Sequence, residues 1–333
     1  MGPRIRTTLV GSYPLPAWLA AMPGAGALRD ATAVVLKTQE NAGIDLVVDG
    51  ELYRFDVNHP ETNGMIEYFV RPLGGVRDQI TREDSKRFAD QQGMSFRARP
   101  SAVVESELTE GTLDLPADCS SVRRLTASPF KFTLTGPHML CKTLLDNHYG
   151  SPEKLCRALA EILAAQVKDI EADAVQIDEA NITGHPEDAG WAAECINMVL
   201  AEVRTVPAIH LCFGNYGGQT IQQGRWKKLV KFIGMLAADH ILVEAAHRAP
   251  NELKHLAEAD SEVRYGIGVI DIKSTVVETP EQIARRIEAA AKVLGPERIA
   301  YVNPDCGFWM LGRSIADRKI EALVAGRNLY EGR

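Results

Sequence analysis

No stretch of this 333-residue chain stays apolar for the roughly 18 residues that a bilayer-spanning helix needs. The N-terminal residues 1–8 lack the apolar core of a signal peptide, so the expected location is cytoplasmic. Positive charge is in deficit: 37 Lys and Arg against 44 Asp and Glu give a formal net charge of −7. That balance argues against nucleic acid or an anionic membrane as the main partner. Cysteine is sparse, six residues scattered along the chain. In a reducing compartment such cysteines are thiols or metal ligands, not a disulfide framework. There is no repeat of solenoid or propeller period and no low-complexity tract. No G-x-S-x-G turn marks a serine hydrolase, and no G-x-G-x-x-G turn follows the first apolar run.

What is present is a regular alternation. With 45% hydrophobic and 24% charged residues, the composition suits a globular protein with a large core. Apolar runs at residues 7–12, 44–50, 130–137, 174–179, 208–214, 240–244, 264–271 and 299–303 read as strands. Helical periodicity separates most of them, at 29–41, 152–171, 186–203, 226–236, 251–257 and 279–294, with a last helix at 313–325. The strands are almost wholly apolar, as parallel strands covered on both faces are. Eight such units predict a (β/α)8 TIM barrel formed by residues 1–333 as a single domain, with a doubly wound open sheet as the runner-up. The rhythm breaks only between residues 52 and 129, a long, polar, Arg-rich stretch with a β-like run near 95–108. A structureless loop of that size is improbable, so an insertion with short strands of its own is expected after strand two, covering the barrel mouth.

In such a barrel the functional residues gather at the C-terminal strand ends. Those ends carry Ser12, Asp49, Glu51, Asp178, Glu179, His210, Cys212, Glu244, Asp271, Lys273, Asp305 and Cys306. Wet loops account for many of the charged groups, but not for two cysteines and a histidine. In Ala208-Ile209-His210-Leu211-Cys212-Phe213-Gly214 the strand period of two points His210 and Cys212 the same way. Alone, such a pair is more often core packing than a metal site. Joined by Glu244 and Cys306 it offers two thiolates, an imidazole and a carboxylate, a donor set that suits Zn²⁺. Cys119, Cys141, Cys156 and Cys195 fall in the insertion or on helical stretches and read as packing. Zinc held by two thiolates activates water poorly but can hold a substrate thiol deprotonated, which predicts alkyl transfer to a thiol.

Several separated motifs resemble the cobalamin-independent methionine synthase family, in its C-terminal catalytic barrel. They are Thr7-Thr8-Leu9-Val10-Gly11-Ser12-Tyr13-Pro14, Asp49-Gly50-Glu51, Met65-Ile66-Glu67-Tyr68-Phe69, Gln176-Ile177-Asp178-Glu179, His210-Leu211-Cys212-Phe213-Gly214, Val243-Glu244-Ala245 and Asn303-Pro304-Asp305-Cys306-Gly307. The resemblance implies zinc on His210, Cys212, Glu244 and Cys306. It implies homocysteine as the thiol, with Glu244 yielding as the sulfur arrives and methionine as the product. Ser12 would meet the amino-acid carboxylate, and Glu51 and Asp178 the ammonium group.

Three departures concern the methyl donor. Full-length members carry a second, N-terminal barrel that helps bind a polyglutamylated folate, and 333 residues leave no room for it. The segment after strand three, Gly136-Pro137-His138-Met139-Leu140-Cys141, lacks the aromatic platform for the pterin. Lys273 stands where the folate enzymes place a histidine; it can serve as an acid or an anion contact, and an exposed barrel-mouth lysine with no such role fits equally well. The expectation is a single-barrel member whose donor is a folate or a methyl-corrinoid protein. Three other readings compete. An epoxide-using alkyltransferase of coenzyme M is disfavoured because Glu51 and Asp178 suit an ammonium and not a sulfonate. A non-catalytic zinc or thiol carrier, and a metal-free decarboxylase-like barrel, fit the converging ligands less well.

Overall fold

Apolar runs buried on both faces assemble into one curled parallel sheet. The computed structural model describes residues 4–56, 59, 62–91, 97–215, 219–222, 224–260 and 262–333. Its strands are β1 (Arg6–Thr7), β2 (Gly74–Arg77), β3 (Val103–Thr109), β4 (Lys131–Thr135), β5 (Leu145–Asp146), β6 (Ala174–Glu179), β7 (Val206–Leu211), β8 (His240–Val243), β9 (Arg264–Ile270) and β10 (Ile299–Pro304). Seven of them form the main sheet in the order β1-β10-β9-β8-β7-β6-β4, with every pair parallel. All residues of β4, β6, β8 and β10 are buried, as strands with covered faces require. Among the described residues no helix is long and apolar enough to cross a membrane.

The eighth stave expected at 44–50 is not a strand of this sheet. Among the described residues its backbone pairs with β1's side through the isolated bridges Thr8 to Leu46 and Ser12 to Gly50, and with β4's side through Val47 to Phe130. Side chains replace the missing ladder. Gln39 brackets Val48, accepting from its N–H at 2.9 Å and donating to its carbonyl at 2.6 Å. The Lys131 ammonium takes the Leu9 carbonyl (2.6 Å) and the Gln176 amide takes that of Val10 (2.8 Å). For the same reason the first strand is shorter than the apolar run 7–12 suggests.

The helices follow the expected periodicity with adjusted ends. Ser151 caps Pro152–Val167 and Thr279 forms a capping box with Gln282 at the head of Pro280–Leu294. The run 226–236 is not one helix but a 3₁₀ turn, Trp226–Lys228, and a single turn, Val230–Ile233. Trp226 is anchored there by its indole N–H to the Glu244 carbonyl (3.1 Å) and its backbone N–H to Glu252 (3.0 Å). Within 52–129, β2 and β3 pair antiparallel, and β5, from beyond that segment, extends them in parallel. Residues 92–96, at the start of the anticipated β-like run, lie outside the described residues. The segment also carries helices Arg82–Asp90 and Leu115–Arg123, the second packed against Pro152–Val167. The four remaining cysteines, 119, 141, 156 and 195, are buried and unbridged, as packing residues are.

Candidate active site

Because the main strands run parallel, their C-terminal ends open on one side of the sheet. The register pairs Asp178 with His210 across β6 and β7, and the period of two carries Cys212 to the same face as His210. The loop after β10 brings Cys306 up to them. One ligand atom each of His210, Cys212 and Cys306 lie within 4.8 Å of one another, and the two sulfurs are 3.8 Å apart. Neither ring nitrogen of His210, though buried, has a hydrogen-bond partner among the described residues. An imidazole with both nitrogens orphaned in a protein interior calls for an acceptor or a cation. The Cys212 thiol holds Cys306 well below the usual thiol range, against burial and with His210 assisting. Cys212 is itself pushed well above that range by Cys306 and by burial, so one sulfur of the pair ionises first.

Glu244 is beside this cluster and not within it. Its Oε2 accepts from the Lys273 ammonium at 3.2 Å and from the Phe213 N–H at 3.3 Å, while the buried Oε1 has no partner among the described residues. Lys273, anticipated at the barrel mouth, keeps only 3% of its side chain exposed because it is drawn onto this carboxylate. Asp305 does not face the cluster as a ligand. It accepts three backbone N–H groups, from Ala245, Ala246 and His247, and so fixes the loop that carries Glu244.

Across the opening, Glu51 is the one non-glycine residue with positive φ among the described residues (φ 60°). Its Oε1 is gripped by the Thr133 hydroxyl (2.6 Å) and by Arg54 (3.4 Å). The Arg54 guanidinium is sealed among the rings of Tyr53, Tyr68, Phe69 and Phe132. Gly11 beneath leaves room for this grip, since a Cβ there would lie 2.1 Å from Glu51 Oε1 and displace it. Asp178 Oδ1 accepts from the Gln176 amide at 2.7 Å, and burial, with Glu51 nearby, pushes its carboxyl up to about 7. The second oxygens of Glu51 and Asp178 carry no hydrogen bond among the described residues. Ser12 sits over Gly307, where a Cβ would come within 2.0 Å of its hydroxyl, next to Cys306.

Glu179 points elsewhere, accepting from the Met139, Asn181 and Ile182 N–H groups and pairing with His138. Asp49 caps its own turn through the Glu51 N–H and takes the Tyr53 hydroxyl. The sequence reading passed over Arg54, Thr133, Lys131 and Gln176, the polar residues that hold the mouth carboxylates and the seam. A lysine inside the apolar run 130–137 was the available signal, because such a residue is almost never buried without a partner.

A family model described as the catalytic domain of cobalamin-independent synthase matches residues 5–326. The chain belongs to that family. It is 30% identical to a methionine synthase of Thermococcus kodakarensis over 97% of this chain and 93% of the relative. It is 29% identical to one of Sulfurisphaera tokodaii, over 98% and 93%. Among solved structures it resembles a B12-independent methionine synthase from a Shewanella species in complex with selenomethionine, with a TM-score of 0.82 and 24% identity over 99% and 98% of the two chains. A putative enzyme of that kind from Listeria monocytogenes gives 0.72 at 17% identity, over 98% of each chain. This family member is accordingly a methyltransferase enzyme with a TIM-like barrel fold.

Proposed function

We propose that this protein is a zinc-dependent S-methyltransferase that converts homocysteine to methionine. The observation that carries the reading is the buried His210, Cys212 and Cys306 cluster, its donor atoms within 4.8 Å and its imidazole nitrogens unpartnered. This N and S donor set fits zinc, with Glu244 as the fourth, displaceable ligand. Bound there, zinc lowers the pKa of a substrate thiol so that the sulfur is nucleophilic at neutral pH.

The chain's own residues do the rest. Glu51 and Asp178 each present one unbonded carboxylate oxygen, a pairing suited to a substrate ammonium and ill-suited to the sulfonate of coenzyme M. Ser12, beside Cys306, meets the substrate carboxylate. Thr133 and Arg54 fix Glu51, and Gln176 fixes Asp178, so the amino-acid end is oriented while the sulfur reaches the cluster. Lys273 is next to the reacting centre with a proton to give. Residues 44–50, bridging β1 and β4, support a closed (β/α)8 barrel, and residues 52–129 cover its mouth. Six unbridged cysteines suit a cytoplasmic setting. The methyl donor is a folate or a methyl-corrinoid protein.

Protein purified without chelator should contain about one zinc per chain, and Cys306→Ser should lose it. Incubation with homocysteine and, separately, methyltetrahydrofolate, methylcobalamin or a methyl-corrinoid protein should yield methionine with at least one donor. Full metal retention in Cys306→Ser would exclude the site. Absence of both turnover and homocysteine binding would exclude the substrate.

A further inference from the structure

Glu244 and Lys273 form an ion pair that neither the strand-end pattern nor the ligand cluster requires. The ammonium is 3.2 Å from Oε2, with side-chain exposures of 3% and 0%. A second donor, the Phe213 N–H, shares that oxygen, and Oε1 is buried without a partner among the described residues. Lys273 is not free to wander. Its N–H is bonded to Asp271 Oδ1 at 2.9 Å, and the Asp271 carbonyl is tied to the buried Lys319 at 3.0 Å. The result is a fixed cation standing beside the Cys212–Cys306 pair and pulling on the one oxygen ligand candidate.

We infer that Lys273 is a positioning residue that competes with the metal for Glu244, so that the fourth coordination position is surrendered to an incoming thiol. The inference rests on reading His210, Cys212 and Cys306 as a zinc centre that accepts a thiol. A buried carboxylate deprived of its metal contact would otherwise be an uncompensated charge. Lys273 supplies the alternative partner, which lowers the cost of exchanging oxygen for sulfur. A neutral side chain at 273 would leave Glu244 no cation but the metal, with the Phe213 N–H as its one other partner among the described residues, giving a tighter but closed site.

The test is zinc affinity by chelator competition, together with homocysteine affinity of the zinc-loaded protein. Lys273→Met should bind zinc roughly tenfold more tightly, the scale on which groups contacting a ligand act, and homocysteine roughly tenfold more weakly. Lys273→Arg, which keeps the cation, should restore both values toward wild type. Adding Glu244→Gln to Lys273→Met should abolish the gain. A gain in metal affinity cannot come from structural damage, so unchanged or weaker zinc binding by folded Lys273→Met overturns the inference. Glu244→Gln alone serves if the lysine variants do not fold. It should weaken zinc less than about tenfold without weakening homocysteine, and a loss beyond about a hundredfold would make Glu244 a permanent ligand and refute the competition. Wild-type protein that binds no zinc would instead overturn the zinc reading beneath it.

Discussion

At the scale of single residues, the mouth depends on glycines that leave room for carboxylate and hydroxyl groups. A Cβ on Gly11 would meet the far end of the Glu51 side chain. That end can swing aside at small energetic cost, but then it leaves Thr133 and Arg54. Gly11→Ala should therefore raise the KM for homocysteine about tenfold or more while shifting stability by less than about 1 kcal/mol. Steady-state kinetics alongside a urea melt separate the two effects, and an unchanged KM would remove Glu51 from substrate binding. Residues such as Glu51, His210 and Cys212 are legible because strand ends and the period of two are properties of the local sequence. Arg54 and Thr133 are not, because they acquire meaning only when the segment after 50 folds back onto β4. The burial of Lys273 depended in the same way on Glu244, 29 positions away.

At the scale of elements, two loops at the mouth are fastened by a charged clamp. His138, after β4, donates to Glu179 (3.2 Å) on one side and Asp188 (3.0 Å) on the other, and Lys142 joins Asp188 at 2.6 Å. Burial alone would lower the imidazole pKa, but the Glu179 and Asp188 carboxylates raise it above its ordinary 6.5. Against burial, His138 and Lys142 hold Asp188 down to about 2 from 3.8. A raised imidazole pKa stabilises fully below 6.5, and that share is lost as pH climbs through the folded value. The carboxylate's share is complete above 3.8 and lost as pH falls through about 2. Denaturation midpoints should thus fall on the alkaline side of neutrality, and His138→Gln should flatten that fall. If the slope is the same in both proteins, the clamp is not its source. The parallel strands and capped helices were readable as apolar runs and cap residues. The stave at 44–50 and the broken helix at 226–236 were not, since buried Gln39, Lys131 and Trp226 redirect backbone bonds that local pattern assigns to regular structure.

At the scale of the whole molecule, the two ends of the chain are tied together. Arg327, buried in the helix Arg313–Tyr330, donates to the Ile5 carbonyl (2.9 Å) and to Asp45 (2.6 Å), which also receives the Thr7 N–H. Removing the cation would leave the half-buried Asp45 carboxylate to the exposed Arg4 (2.8 Å) and to Thr7, and the Ile5 carbonyl without its donor, at the junction of β1 and residues 44–50. Arg327→Met should cost about 1–3 kcal/mol, the range for losing charge-assisted hydrogen bonds while the carboxylate keeps other partners, read from urea unfolding. A loss below about 0.5 kcal/mol would show that the tie is idle. The alternation of parallel strands with helices, and the meeting of His210, Cys212 and Cys306 at their ends, were accessible from sequence because each βα unit repeats the same pattern, whereas the eighth strand of the expected count is absent from the main sheet among the described residues. The tie between the ends joins residues 282 positions apart and has no local signature.

The seam at 44–50 divides labour within the site. The sulfur end of the substrate would lie over β7 and β10, deep in the continuous ladder, whereas Glu51 hangs from the stave with the fewest sheet bonds. On the proposed function, a chain built this way could exchange the group gripped at the far end of a thiol by changing residues 49–54, without touching His210, Cys212 and Cys306. Descent within such a scaffold would then preserve one chemistry while the molecules it acts upon diverge.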